Sequence, residues 1–266
     1  MTWTIQPRSE GPGALHYISA GDGPPLVLIH GVGLRAEAWQ GMIPHLARHF
    51  KTYAVDMPGH GSSPLNNARA LPDYVARVRA FLAALDAPCH IAGHSMGAII
   101  ALQVAGGCAG QISGVAALNA IYRRGDAAAK AVRARAAALK TSGRADPSAT
   151  LQRWFGTDPE GALLDAAEAC RGWLTETDLQ GYARAYHVFA QSDGPSDALL
   201  QSLTMPALFM TGADDPNSTP EMSRRMAANS AKGHSLLCHD AAHMMPMTHP
   251  REVSVAMIRH LIGEAP

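Results

Sequence analysis

The chain has 266 residues, 47% of them apolar and 17% charged, and its 22 basic and 22 acidic residues cancel to a formal net charge of zero. That length can bury one large core, and the balanced charge offers no footing for nucleic acid or an anionic membrane as partner. No apolar run approaches the ~20 residues of a spanning helix, Met1 to Pro7 lack a basic segment followed by an apolar one, and Cys89, Cys108, Cys170 and Cys238 lack metal-type spacing. These features suit a cytoplasmic protein with reduced thiols and no metal.

Taken in chain order, residues 2–7 and 14–20 read as two strands joined through Gly11-Pro12-Gly13, which implies an antiparallel edge. The apolar run at 25–30 reads as a buried strand, followed by a helix near 36–49 and a strand at 52–56. A turn-rich loop, Met57 to Ser63, leads to a helix near 72–85 and then to the short apolar strand Cys89-His90-Ile91-Ala92. The apolar helix 98–105 and the strand 114–118 follow. After residue 200 the alternation resumes with strands at 206–211 and 235–239 and a last helix at 250–262. Alternating β and α segments predict a doubly wound, mostly parallel eight-stranded sheet. Residues 1–120 and 201–266 form its core on this reading, and 121–200, where the alternation stops, form a helical cap.

Within this frame Gly93-His94-Ser95-Met96-Gly97 falls at a strand-to-helix turn. A serine there needs a strained backbone, and residues two before and two after approach so closely that only glycine fits. That is the nucleophile elbow of the α/β-hydrolase fold, and it makes Ser95 the candidate nucleophile. A serine hydroxyl needs a base, and the base needs an orienting acid, which in this fold follow in the order Ser, Asp or Glu, His. The strand at 206–211 ends in Gly212-Ala213-Asp214-Asp215, and the strand at 235–239 is followed by Asp240-Ala241-Ala242-His243. Asp214 competes with Asp215 for the acid; the pattern Gly-x-x-Asp counted from Gly212 favours Asp215. His239 and His249 compete with His243, which alone lies in the loop between the strand and the final helix. The strand at 114–118 ends in Asn119 rather than a carboxylate.

The oxyanion donors expected here are the backbone N–H of Met96, after the nucleophile, and of Val32 in the loop His30-Gly31-Val32-Gly33. His30 itself reads as a loop brace. In the cap, Asp126 to Lys140 is rich in alanine and arginine and reads as a solvated helix ending near Gly143, with an anion site as the rival reading. Trp154, Trp173 and Tyr186 are candidate substrate contacts, the alternative being that they fasten the cap to the body. Arg123 and Arg124 follow the strand that ends at Asn119. One of them facing the pocket would favour substrates with a distant carboxylate; the rival reading pairs both with cap carboxylates at a junction.

Over nearly its whole length the chain resembles the α/β-hydrolase superfamily with a helical cap. Gly181-Tyr182-Ala183, Asp193, Leu203 to Pro206, Gly212, Asp215 and Thr219-Pro220 are similar to the corresponding stretch of 3-oxoadipate enol-lactonase-like enzymes. The oxyanion loop departs from those enzymes, which often carry an Asn-Ser pair where this chain has the esterase form His30-Gly31-Val32-Gly33. The resemblance implies hydrolysis of a small carboxylic ester or lactone through an acyl-enzyme, with no cofactor. Carbon–carbon or thioester hydrolysis on the same triad, perhydrolysis, and a ligand-sensing signalling protein stand as alternatives. The serine argues against haloalkane dehalogenases and epoxide hydrolases, which use aspartate at the elbow.

Overall fold

The computed structural model describes residues 3–108, 110–142 and 146–263. Its centre is one eight-stranded sheet: β1 Ser9–Gly11, β2 Leu15–Ala20, β3 Pro25–Ile29, β4 Lys51–Val55, β5 Cys89–His94, β6 Ile112–Leu118, β7 Ala207–Gly212 and β8 Gly233–Cys238. The spatial order is β1-β2-β4-β3-β5-β6-β7-β8. β1 and β2 pair antiparallel, as do β2 and β4, and every pair from β4 onward is parallel. This is the doubly wound, mostly parallel sheet with an antiparallel edge that the alternation predicts.

The central strands are apolar on both faces because helices cover both. On β3, Val27 and Ile29 enter one core cluster with Ile91, Val115 and Phe209, while Leu26 and Leu28 enter a second with Ala92, Leu118 and Met210. Side chains alternate across a strand, so two layers of core are what continuous hydrophobic runs signify in a parallel sheet. The first face is covered by α2 Leu71–Leu82 and α3 Met96–Gly107, the second by α1 Ile43–Leu46 and α11 Pro250–Ile262.

Two sequence expectations fail locally. Residues 3–7 form no strand. Their backbone donors go to side chains instead: Thr4 N–H donates to Gln40 Oε1 and Gln6 N–H to Glu37 Oε1, while Pro7 has no N–H to give. Arg8 then clamps the segment by pairing with buried Glu37 and Asp56. The single helix expected over 36–49 is two short pieces, a 3₁₀ turn Ala36–Trp39 and α1. Pro44 stands at the start of α1, where its missing N–H costs nothing, and could not sit inside a continuous helix.

Between β6 and β7 lie α4 Asp126–Ser142, α5 Ser148–Phe155, α6 Gly161–Glu176, α7 Leu179–Ala190 and α8 Asp197–Gln201. Gly143, the expected end of α4, lies outside the described residues. Leu151, Phe155, Cys170, Trp173 and Leu174 from α5 and α6 bury against Leu34, Ala38, Met244 and Met247, which belong to loops following the strands and to α10 Met245–Thr248. α7 is seated by backbone contact: a Cβ on Gly181 would fall 2.1 Å from the Gly59 carbonyl oxygen. Among the described residues no helix is long and apolar enough to cross a membrane, and all four cysteines are free.

Candidate active site

The parallel register brings the carboxyl ends of the strands to one edge, with Ile29 beside Gly93, His94 beside Leu118 and Gly212 beside Cys238. The residues that follow these ends come from five separate parts of the chain and meet over the middle of the sheet, where open α/β folds place ligands. Ser95 follows β5 directly and has φ 55° and ψ −117°. Such a conformation costs a non-glycine residue about 1–3 kcal/mol and persists only when its surroundings impose it. The imposition is visible in the flanking glycines. A Cβ on Gly93 would lie 2.0 Å from the Gly97 carbonyl oxygen, and one on Gly97 would lie 2.1 Å from that of Ile29. The packing of α3 onto β3 and β5 therefore requires both glycines, and the turn between them lifts Ser95 off the sheet at the amino end of α3.

Ser95 Oγ lies 3.2 Å from His243 Nε2, and His243 Nδ1–H donates to Asp215 Oδ2 at 2.8 Å. Ser95 is 8% exposed, His243 6% and Asp215 3%. Asp214, by contrast, is exposed, as is His239, and the His249 ring meets Thr248 Oγ1 instead. Burial alone would raise the Asp215 carboxyl, but His243 and the donors around it hold it below the ordinary value. Those donors are Asn217 N–H on Oδ1 at 2.8 Å and Asn119 Nδ2–H on Oδ2 at 2.9 Å. Asn119 thus braces the oxygen that orients His243. It is itself held in a left-handed conformation, φ 49°, with its carbonyl accepting from Ser218 Oγ.

His94 fixes the opposite side of the base. Its Nε2–H donates to the His243 carbonyl at 2.7 Å, and burial, then the neighbouring His243, push its own pKa down to about 3. His30 and His60 interlock the loops after β3 and β4. His30 Nδ1–H donates to the Gly31 carbonyl while Nε2 accepts from Met57 N–H at 2.9 Å, and His60 Nε2 accepts from Gly33 N–H at 3.0 Å. Burial lowers both, to about 3 and about 4, so these rings are neutral braces rather than proton carriers. Held this way, Gly31 and Val32 line the same cavity as Ser95. Among the described residues no protein acceptor takes the Val32 N–H, and Met96 opens α3, where a backbone N–H has no helical partner.

That cavity measures about 230 Å³. Its floor is the sheet edge and its roof is α4, α5 and α7, which contribute Val132 and Arg135, Arg153 and Trp154, and Tyr182 and Tyr186. Of the substrate contacts expected from sequence, Trp154, Tyr186 and Arg124 line it. The Trp154 ring stacks over His243 with centroids 6.3 Å apart and planes at 25°. Trp173 and Arg123 lie elsewhere. Trp173 packs edge-on against Trp3 at 6.0 Å within the α5–α6 core, and Arg123 pairs with Asp197 beside the Tyr122 ring on the exterior. Arg124 combines both readings offered for it, since it lines the cavity yet stacks over Phe189 at 4.4 Å and pairs with Asp193 at 3.3 Å. Arg153 and the bracing residues Asn119 and His94 are site residues that the sequence reading does not single out, whereas Arg135 falls in the arginine-rich stretch for which an anion site is the rival reading. One signal for Arg135 was legible: Ala128, Ala131, Val132 and Arg135 recur at helical spacing, so one face of α4 turns inward while Arg133 stays exposed.

Residues 26–256 match the alpha/beta hydrolase family. The chain is 40% identical over 244 residues to (E)-2-((N-methylformamido)methylene)succinate hydrolase of Acinetobacter baylyi, covering 91% of this chain and 92% of that one. It is 28% identical over 265 residues to a pimeloyl-[acyl-carrier protein] methyl ester esterase of Stenotrophomonas maltophilia, covering 95% and 98%. Among solved structures it is similar to the enol-lactonase of Burkholderia xenovorans, with TM-score 0.86 and 24% identity over 97% of this chain and all of that one, a likeness of fold.

Proposed function

This chain belongs to the alpha/beta hydrolase family, and on that premise we propose that it cleaves a small carboxylic ester or lactone by acyl transfer from Ser95 to water. The observation that carries the reading is the continuous chain Ser95–His243–Asp215, closed at 3.2 and 2.8 Å inside a cavity of its own. In this mechanism His243 Nε2 takes the Ser95 proton as Oγ attacks the carbonyl carbon. Asp215 holds Nδ1–H and stabilises the imidazolium. The N–H groups of Val32 and Met96 receive the oxyanion, a donor pair of which each member is worth roughly 2.7–4 kcal/mol in the transition state. His243 then protonates the leaving alcohol or enol and activates the water that releases the acid. The helices between β6 and β7 act as a lid, Trp154 shielding the imidazole from bulk water.

A second reading has a specific footing. The 40% identical relative is named for a substrate with an N-methylformamido group, so the same chain of residues would attack an amide carbonyl and expel nitrogen in place of oxygen. Both readings share Ser95 as nucleophile. A fluorophosphonate probe is expected to add its mass to the wild type and leave Ser95→Ala unmodified, while turnover falls by about 10⁶-fold. Equal labelling of the two proteins would remove the nucleophile assignment. Comparing an ester with its N-methylamide counterpart would then rank the two bonds.

A further inference from the structure

The cavity beside Ser95 is lined by three arginines, Arg124, Arg135 and Arg153, and by no carboxylate among the described residues. Arg124 is accounted for by the protein itself: it donates to the Ser192 carbonyl, pairs with Asp193 and lies over Phe189. The other two are not. Arg135 gives Nε–H to the Tyr186 hydroxyl at 2.9 Å, and its two terminal nitrogens have no acceptor among the described residues. Arg153 reaches only neutral oxygens of its own helix, the Ala149 carbonyl at 2.9 Å and Thr150 Oγ1 at 3.0 Å. The guanidiniums also crowd one another. Burial first, and then the charge of Arg135, lower the pKa of Arg153, and Arg124, lowered first by the burial of its side chain, feels Arg135 in the same sense. Neighbouring cations at a partly desolvated wall repel, and an anion between them converts that repulsion into attraction.

We propose that Arg135 and Arg153 form a carboxylate subsite, so that the substrate is an acyl compound carrying a free carboxylate remote from the carbonyl attacked by Ser95. The planar forks of two guanidiniums suit the two oxygens of a carboxylate, which a single hydrated lysine would hold less specifically. The position fits such a role. Arg153 directly precedes Trp154, whose ring stacks on His243, so one turn of α5 ties the anion subsite to the base. Ala128, Ala131 and Val132 give the cavity an apolar wall for the carbon chain between the two ends. The inference rests on the reading of Ser95 as nucleophile but concerns different residues, so the two can fail separately.

The test compares monomethyl succinate with methyl butyrate, nearly equal in shape and different in charge. The wild type is expected to prefer the charged ester in kcat/KM. Arg135→Gln and Arg153→Gln are expected to cut that preference by roughly 10- to 150-fold, the worth of a hydrogen bond to a charged group. Arg135→Lys should retain part of it, and Arg133→Gln, at an exposed position of the same helix, should leave both rates as they are. Fluorophosphonate labelling reports whether each variant keeps a folded site. Calorimetry of succinate with Ser95→Ala, with and without Arg135→Gln, reads the subsite without catalysis. An unchanged ester preference in both arginine variants, or succinate binding indifferent to Arg135, overturns the proposal. Arginine-dependent succinate binding in a protein that neither labels nor turns over would instead sustain the subsite and reject the hydrolase reading.

Discussion

At the carboxyl edge of the sheet, Ser95, Asp215, His243, His94 and Asn119 are all under a tenth exposed, and each is tied to the others or to backbone through short hydrogen bonds. The helices above that edge are built differently. Arg135, Arg153, Trp154, Tyr182 and Tyr186 are only partly buried, and several of their donors face the cavity rather than the protein. On the proposed function the contrast separates two tasks. Attack and proton transfer require geometry held to a fraction of an ångström, which the close-packed edge supplies. Choosing a substrate requires surface that the substrate itself completes, and the roof leaves that surface open.

If this division is right, substitutions at the edge should affect turnover of every substrate, and substitutions in the roof should affect choice. The largest effect is expected from Asp215→Asn. An amide favours the wrong imidazole tautomer and cannot stabilise the imidazolium, so turnover should fall about 10⁴-fold on charged and neutral esters alike. Asp214→Asn, exposed and outside the chain of hydrogen bonds, should have little effect. Steady-state kinetics on the two variants decide the matter, and a crippled Asp214→Asn would show that the acid belongs one residue earlier.

Acid offers a second probe of the edge. His30, His60 and His94 are buried with pKa values lowered from 6.5 to about 3, 4 and 3, so they stay neutral in the native state and protonate on unfolding. A base with a depressed folded pKa contributes stability that is present above 6.5 and lost as pH falls below it, because the unfolded chain then binds more protons. Urea unfolding at a series of pH values between 7 and 4 should show stability falling, with a slope of up to about 4 kcal/mol per pH unit if all three contribute. A flat profile over that range would mean that the braces are not as dry as their burial implies. The region between β6 and β7 holds only exposed His187, so little of the slope should arise there.

The smallest effect is expected in the roof. Tyr186→Phe removes the oxygen that accepts Arg135 Nε–H and leaves the ring in place. It should raise KM for monomethyl succinate by roughly 2- to 10-fold with kcat little altered, the worth of one hydrogen bond. A drop in kcat on the neutral ester of the same size would place Tyr186 with the edge rather than the roof, and the division between the two regions would need redrawing.

The amino-acid sequence carried the candidate triad at the edge but not the braces His94 and Asn119 behind it. Glycines at 93 and 97, an aspartate three beyond Gly212 and a histidine beyond the next strand are local patterns, because a nucleophile elbow and strand-end loops depend on residues close in the chain. The alternation of apolar runs likewise carried the parallel sheet from the strand at 25–30 onward, while the first edge strand is Ser9–Gly11 rather than residues 2–7. Where local cues misled, long-range partners were responsible: Glu37 and Asp56 draw residues 3–8 away from the sheet, and neither is visible from that segment. The roof was legible as helices with aromatic residues and with arginines whose facing was left open. Arg123 and Arg124 are adjacent, yet one turns to Asp197 on the exterior and the other into the cavity. Arg135 and Arg153 are separated in sequence and sit on different helices, so nothing in their spacing announces that they meet.

What the sequence determined by itself, then, is the sheet, the elbow and the identity of Ser95, Asp215 and His243 as the candidate triad, since backbone sterics and hydrophobic period fix these within short windows. Only the tertiary structure decided which side chains of the helices between β6 and β7 share the cavity with Ser95. That depends on how α5 and α6 bury Trp173 and Phe155 and on how α7 closes onto Gly59, which are packing contacts between elements far apart in the chain.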